Sequence, residues 1–130
     1  MIVDSSAVIA TLLREPGFEP LLEELTNTYT PAIGAPTLTE TGIVLSARLG
    51  PGGKTLLARF VAEIGLIVIP FVPEHWTVAV DAFLRYGKGR HPAALNFGDC
   101  LTYAVARLSG EPLLCIGDDF PKTDLELVPR

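Results

Sequence analysis

Leu66-Ile67-Val68-Ile69 is the run from which the architecture follows. Four apolar residues stand together without the polar alternation of a half-solvated strand, as expected of a parallel sheet covered on both faces. A helix precedes the run, marked by Leu56, Leu57, Phe60, Val61 and Ile64, and another follows from Pro73 with Trp76, Val80, Phe83 and Leu84. Leu113-Leu114-Cys115-Ile116 is a second unalternating strand. Shorter strands are expected at Met1-Ile2-Val3, near Ala32-Ile33 and from Leu125 to Val128. Helices fill the intervals: Ala7 to Leu13, a second through Phe18, Leu21, Leu22 and Leu25, and a third from Thr37 to Leu49 with Leu38, Leu45 and Leu49 on one face. Pro16-Gly17 and Gly50-Pro51-Gly52-Gly53 are turns. Leu101, Ala104, Val105 and Leu108 recur at i, i+3, i+4 and i+7, a helix that begins just after Asn96 and Gly98. Short apolar strands alternating with helices predict an α/β sandwich on a parallel sheet. No repeat, low-complexity tract or linker interrupts residues 1–130, so one domain is expected.

Hydrophobic residues make up 48% of the chain and mean hydropathy is +0.39, which excludes disorder for lack of core. No apolar run approaches the ~18 residues of a membrane span. Met1-Ile2-Val3 is followed at once by Asp4 and preceded by no basic residue, so no secretory leader is read and a cytoplasmic location is expected. Cys100 and Cys115 stand in unlike contexts without zinc-ligand spacing, and buried thiols are expected. His75 and His91 are isolated, and no histidine-based metal site is visible.

The acidic residues are informative together. Asp4 ends the first strand, Glu40 is placed in the first turn of the third helix, Asp99 opens the helix after Asn96, and Asp118-Asp119 follow a later strand. Each alone has an ordinary explanation: Asp4 as a helix cap, Thr37-x-x-Glu40 as a capping box, Asp118 or Asp119 as turn residues, Asp99 as a helix N-terminal acid. In a parallel α/β sheet, however, strand C-termini and helix N-termini share one edge, where ligands bind. Four distant acidic places fall on that edge. Crowded carboxylates repel unless a cation joins them, and with oxygen ligands only the fitting cations are Mg²⁺ and Mn²⁺. Such a site suits in-line attack of metal-activated water on a phosphodiester.

Asp4-Ser5-Ser6, Glu40 early in a helix, Leu95-Asn96-Phe97-Gly98-Asp99-Cys100 and Gly117-Asp118-Asp119-Phe120-x-x-Thr123-Asp124 together resemble the PIN-domain ribonucleases of the VapC toxin type. The resemblance runs through the whole chain in order. It implies a three-layer α/β/α sandwich with a short central parallel sheet, and a metal-dependent endoribonuclease. The substrate it implies is RNA, often tRNA or rRNA, and the silencing partner a VapB antitoxin. By position it makes Asp4, Glu40 and Asp99 the core acids and metal ligands. Asp119, beside Phe120, is the preferred fourth, with Asp118 as second choice. Ser6 is expected as a hydroxyl near the metal, or else as an N-cap hydroxyl. With so many apolar helix residues in a small domain, a homodimer is expected whose apolar helical surface also receives the antitoxin.

A net charge of -5 argues at first against nucleic acid. Setting aside Asp4, Glu40, Asp99, Asp118 and Asp119, ten acids face ten Lys and Arg, so the protein outside the proposed metal site is neutral. The loop Arg85-Tyr86-Gly87-Lys88-Gly89-Arg90-His91-Pro92 then offers Arg85, Lys88, Arg90 and His91 to phosphates, and its glycines suggest mobility. Two other classes fit the pattern less well. A phosphoryl-transfer protein using Asp4 as nucleophile lacks a second Asp two positions on, where Ser6 stands. A non-catalytic binding or co-repressor module would show no metal-dependent RNA cleavage.

Overall fold

The computed structural model describes residues 1–129. Four strands, β1 (Ile2–Val3), β2 (Ala32–Gly34), β3 (Ile67–Ile69) and β4 (Leu113–Leu114), form one parallel sheet in the order β3-β2-β1-β4. Helices α1 (Ser5–Leu12) and α2 (Phe18–Asn27) join β1 to β2, and α3 (Ala35–Leu49) and α4 (Gly52–Ile64) join β2 to β3. From β3, α5 (Pro73–Tyr86) and α6 (Phe97–Ser109) carry the chain back to β4 on the far side of β1.

Strand residues alternate between two cores, as the two-residue strand period requires. Ile2, Ala32 and Leu113 pack with Ala79, Ala82, Tyr86, Ala104 and Val105 of α5 and α6. Met1, Val3, Ile33 and Leu114 pack with Ala7, Val8, Leu21, Leu25, Leu45, Leu57 and Phe60 of the first four helices. The result is the expected α/β/α sandwich with a short central parallel sheet.

Several local expectations need correction. The run Leu66–Ile69 is not buried: Leu66 is, but Ile67 and Val68 are 48% and 41% exposed. β3 is the sheet's edge, so its lack of polar alternation does not reflect cover on both faces. The α5 stripe is also turned outward. Trp76, Val80, Phe83 and Leu84 are exposed, while His75, Ala79, Ala82 and Tyr86 form the buried face. On α6, Leu108 is likewise exposed and burial runs from Thr102 to Ala106.

Helix α3 begins at Ala35 rather than Thr37, because Pro36 sits in its first turn, where a missing N–H costs nothing. Its buried residues are Thr37, Thr41 and Leu45, and Leu49 is exposed. Gly52 and Gly53 belong to α4 instead of a turn. A Cβ on Gly53 would lie 2.6 Å from the Leu45 carbonyl, so the absent side chain lets the two helices pack closely. Of Leu125–Val128, only Leu127 bridges the sheet: Leu113 N–H donates to Glu126 O and Val128 N–H to Leu113 O, both at 2.9 Å. Among the described residues no helix is long and apolar enough to cross a membrane.

Candidate active site

The chain leaves β1 toward β2 on one side and reaches β4 on the other, so the sheet's topological switch lies between β1 and β4. Open parallel sheets hold their ligands in the crevice beyond the strand C-termini at that point. Asp4 leaves β1 there. Its backbone N–H donates to Leu114 O at 2.9 Å, and the residue is 5% exposed. Asp4 caps α1: its Oδ2 accepts from Ser6 N–H at 3.1 Å and from Ser6 Oγ–H at 2.7 Å. Ser6 Oγ accepts in turn from Ile116 N–H at 3.0 Å. Ser6 is therefore no N-cap but a bridge between the exits of β1 and β4, holding the Asp4 carboxylate.

Glu40 lies in the second turn of α3, since the helix starts earlier than expected. Its Oε1 accepts from Ser5 Oγ–H at 3.2 Å. The capping box with Thr37 does not form. Thr37 Oγ1 instead meets Thr102 Oγ1 at 2.9 Å, a buried hydroxyl pair tying α3 to α6. Asp99 does form a capping box. Asn96 Oδ1 accepts from Asp99 N–H at 2.8 Å, and Asp99 Oδ2 accepts from Asn96 N–H at 3.1 Å. Gly98 lies within this helix, one residue before Asp99.

Asp118 and Asp119 are both exposed, ahead of the buried Phe120 that anchors the segment. The electrostatics of Asp99 show which acids gather around it. Burial raises its pKa from 3.8 to about 6; the Asn96 N–H opposes this, and the charges of Asp4, Asp119 and Glu40 add to it. Three acids from distant segments thus bear on Asp99, and of the Asp118-Asp119 pair the one among them is Asp119.

Among the described residues no three carboxylates or other ligating groups converge into a finished metal cage. Asp4 and Glu40 are turned toward serine hydroxyls. The donor set still fits a hard divalent cation: carboxylate oxygens that repel one another, with no competing sulfur or imidazole in the group. His75 is used structurally. Its Nδ1 accepts from Val72 N–H at 2.9 Å at the start of α5, and its ring stacks on Phe71. Cys100 and Cys115 are buried, as expected.

The basic loop is folded on itself by backbone bonds. Lys88 N–H donates to Leu95 O, Leu95 N–H to Tyr86 O, and the N–H groups of Arg90 and His91 to Gly87 O. Arg85 pairs with Asp124 at 3.5 Å, a carboxylate that also takes Arg107 at 3.3 Å and the Tyr103 hydroxyl at 2.7 Å. Arg90 Nε–H donates to Leu84 O, and His91 Nδ1 accepts from Ala93 N–H. Sequence reading missed Ser5 and Gly98 at the site and the Asp124 hub. Ser5 had a signal, since it adjoins Asp4 in sequence, but nothing linked it to Glu40.

The PIN domain family profile matches residues 1–125. A VapC ribonuclease of Mycobacterium bovis and ribonuclease VapC36 of Mycobacterium tuberculosis are each 53% identical over 127 residues, covering 97% of this chain and 91% of theirs. A Mycolicibacterium smegmatis ribonuclease VapC is 39% identical, covering 98% of this chain and 99% of its own. Among solved structures, Mycobacterium tuberculosis VapC20, described as a sarcin-ricin loop cleaving toxin, aligns with a TM-score of 0.79 at 18% identity, covering 99% of this chain and 98% of that one. VapBC2 from Rickettsia felis, bound to a promoter DNA fragment, aligns with a TM-score of 0.78 at 17% identity, covering 98% and 96%. At such identities these two likenesses speak for the fold alone. With the family profile spanning nearly the whole chain and relatives at 53% identity, this protein belongs to the VapC ribonucleases of the PIN-domain family.

Proposed function

We propose that this ribonuclease is a toxin that cuts RNA internally, using Mg²⁺ or Mn²⁺ held by Asp4, Glu40, Asp99 and Asp119, with residues 1–130 forming one domain. The carrying observation is the rise of the Asp99 pKa to about 6 by burial and by Asp4, Asp119 and Glu40, four acids from four distant segments. A cation held by these carboxylates would supply activation of water and neutralisation of the scissile phosphate. Ser6 keeps the Asp4 carboxylate in place, and Ser5 does the same for Glu40. Asp118, exposed and not among the charges named as raising the Asp99 pKa, is the weaker fourth acid. Phosphates meet Lys88, Arg90 and His91, while Arg85 is paired with Asp124. The substrate class is tRNA or rRNA, as membership of the VapC ribonucleases implies.

A cognate VapB antitoxin and a second copy of the chain are the proposed protein partners. The support is the exposed apolar surface on α5 together with Phe97 and Ile43, and the chain's membership of the VapC ribonucleases. The test is cleavage of total RNA by purified protein. Cutting with Mg²⁺ that stops in EDTA and falls at least about 100-fold in Asp99→Asn is expected. Equal cutting in EDTA would remove the metal, and full activity in Asp99→Asn would remove the site.

A further inference from the structure

Gly98 is the second residue of α6, in ordinary helical backbone with no left-handed φ to demand glycine. Alanine is the better helix former there by propensity, so the local fold does not explain the residue. Its surroundings do. A Cβ built on Gly98 would overlap Glu40 Oε2 and would lie 2.9 Å from Glu40 Cδ and 3.0 Å from Oε1. All three nearest atoms belong to one carboxylate, the acid that α3 sends toward Asp99. The Oε1 of that carboxylate also accepts the Ser5 hydroxyl at 3.2 Å.

We infer that Gly98 is a positioning residue: the missing side chain is the space in which Glu40 reaches the first turn of α6 beside Asp99. The inference rests on the proposed acidic site and names what sets its shape. The obstacle a methyl group would meet is the far end of a flexible side chain, not backbone. The fold can therefore absorb Gly98→Ala by letting Glu40 swing away. The displaced atoms are the ones the site needs, and moving them also strains the Ser5 bond. Stability and site integrity are thus predicted to part company at this position.

The experiment measures Gly98→Ala, Glu40→Asp, the double variant and Glu40→Gln against the parent. Readouts are the thermal midpoint of metal-free protein, Mn²⁺ affinity by calorimetric titration, and RNA cleavage rate. Gly98→Ala is expected to melt at or above the parent's midpoint, yet to bind Mn²⁺ at least tenfold more weakly and to cleave at least tenfold more slowly. Glu40→Asp shortens the side chain and gives back the space, so the double variant is expected to do no worse than Glu40→Asp alone. Parent-like Mn²⁺ affinity and cleavage in Gly98→Ala overturn the inference, as do strictly additive losses in the double variant. Failure of Gly98→Ala to fold overturns it too, since the glycine would then serve the fold. Unchanged Mn²⁺ affinity and cleavage in Glu40→Gln signal the separate failure of the site assignment, and the inference falls with it.

Discussion

Asp99 is the acid of the candidate site whose pKa the fold displaces. Its folded pKa of about 6 lies above the 3.8 expected without the fold, so the native state binds its proton more tightly than the unfolded chain. The stability this contributes is complete below about pH 4 and is lost as pH rises through 6. Asn cannot ionise, so the melting advantage of Asp99→Asn over the metal-free parent should grow between pH 4 and 6 and level off above 7. Allowing for solvent screening of a half-exposed group, the plateau corresponds to about 1 kcal/mol, or a few degrees. A difference in melting temperature that stays flat across that range would disprove the assignment of the shift. Asp118 and Asp119 offer a second contrast. Of the two, Asp119 is the one among the charges that raise the Asp99 pKa, so Asp119→Asn should lose Mn²⁺ affinity and cleavage, while Asp118→Asn stays near the parent in both. The opposite result would make Asp118 the fourth acid. Ser5 and Gly98 show why side-chain roles resist sequence reading: both act on Glu40 across a separation no periodicity reveals.

At the level of elements, the register of α3 on α6 depends on a polar pair inside an apolar contact. Thr37→Val would leave the Thr102 hydroxyl buried without its partner, a loss of about 1–3 kcal/mol in urea unfolding. Replacing both threonines by valine should recover much of that stability. A double variant weaker than either single one would refute the pairing argument. The loop after α5 makes a different prediction. Lys88→Ala with Arg90→Ala should weaken RNA binding and flatten log K against log salt by roughly 0.7 for each phosphate that is no longer neutralised. Unaltered affinity and salt slope in that variant would leave the loop a structural role only. The strands and helices were legible because alternation of apolar runs and 3.6-residue stripes reports which segments pack. Which side of a segment packs was less legible. The outward faces of β3 and α5 are as apolar as their inward ones, and hydrophobicity cannot separate core from an uncovered surface. The start of α3 was misread because proline breaks a helix only beyond its first turn.

For the whole molecule, exposed apolar residues of α3, α5 and α6 line two adjoining grooves. Trp76, Val80 and Phe83 of α5 line a groove of about 510 Å³ with Phe97 and Leu101. A neighbouring groove of about 460 Å³ shares Phe97 and Leu101 and extends past Glu40 to Ile43. Patches of this extent mark association surfaces. Light scattering at micromolar concentration should accordingly give a mass near twice 13.9 kDa, and a stable monomer would count against the dimer. The sheet order has a consequence for synthesis. The first strand made, β1, finds one neighbour in β2 but must wait for β4 to gain the other. Asp4 directly follows β1, the first strand in the chain, whereas Asp119 comes after β4, the last. Because chains emerge N-terminus first, a half-made polypeptide holds Asp4 and Glu40 but neither the closing strand nor the last acid. Until β4 and the segment after it are made, the proposed set of acids is incomplete, so the order of the strands also sets the order in which the site is assembled.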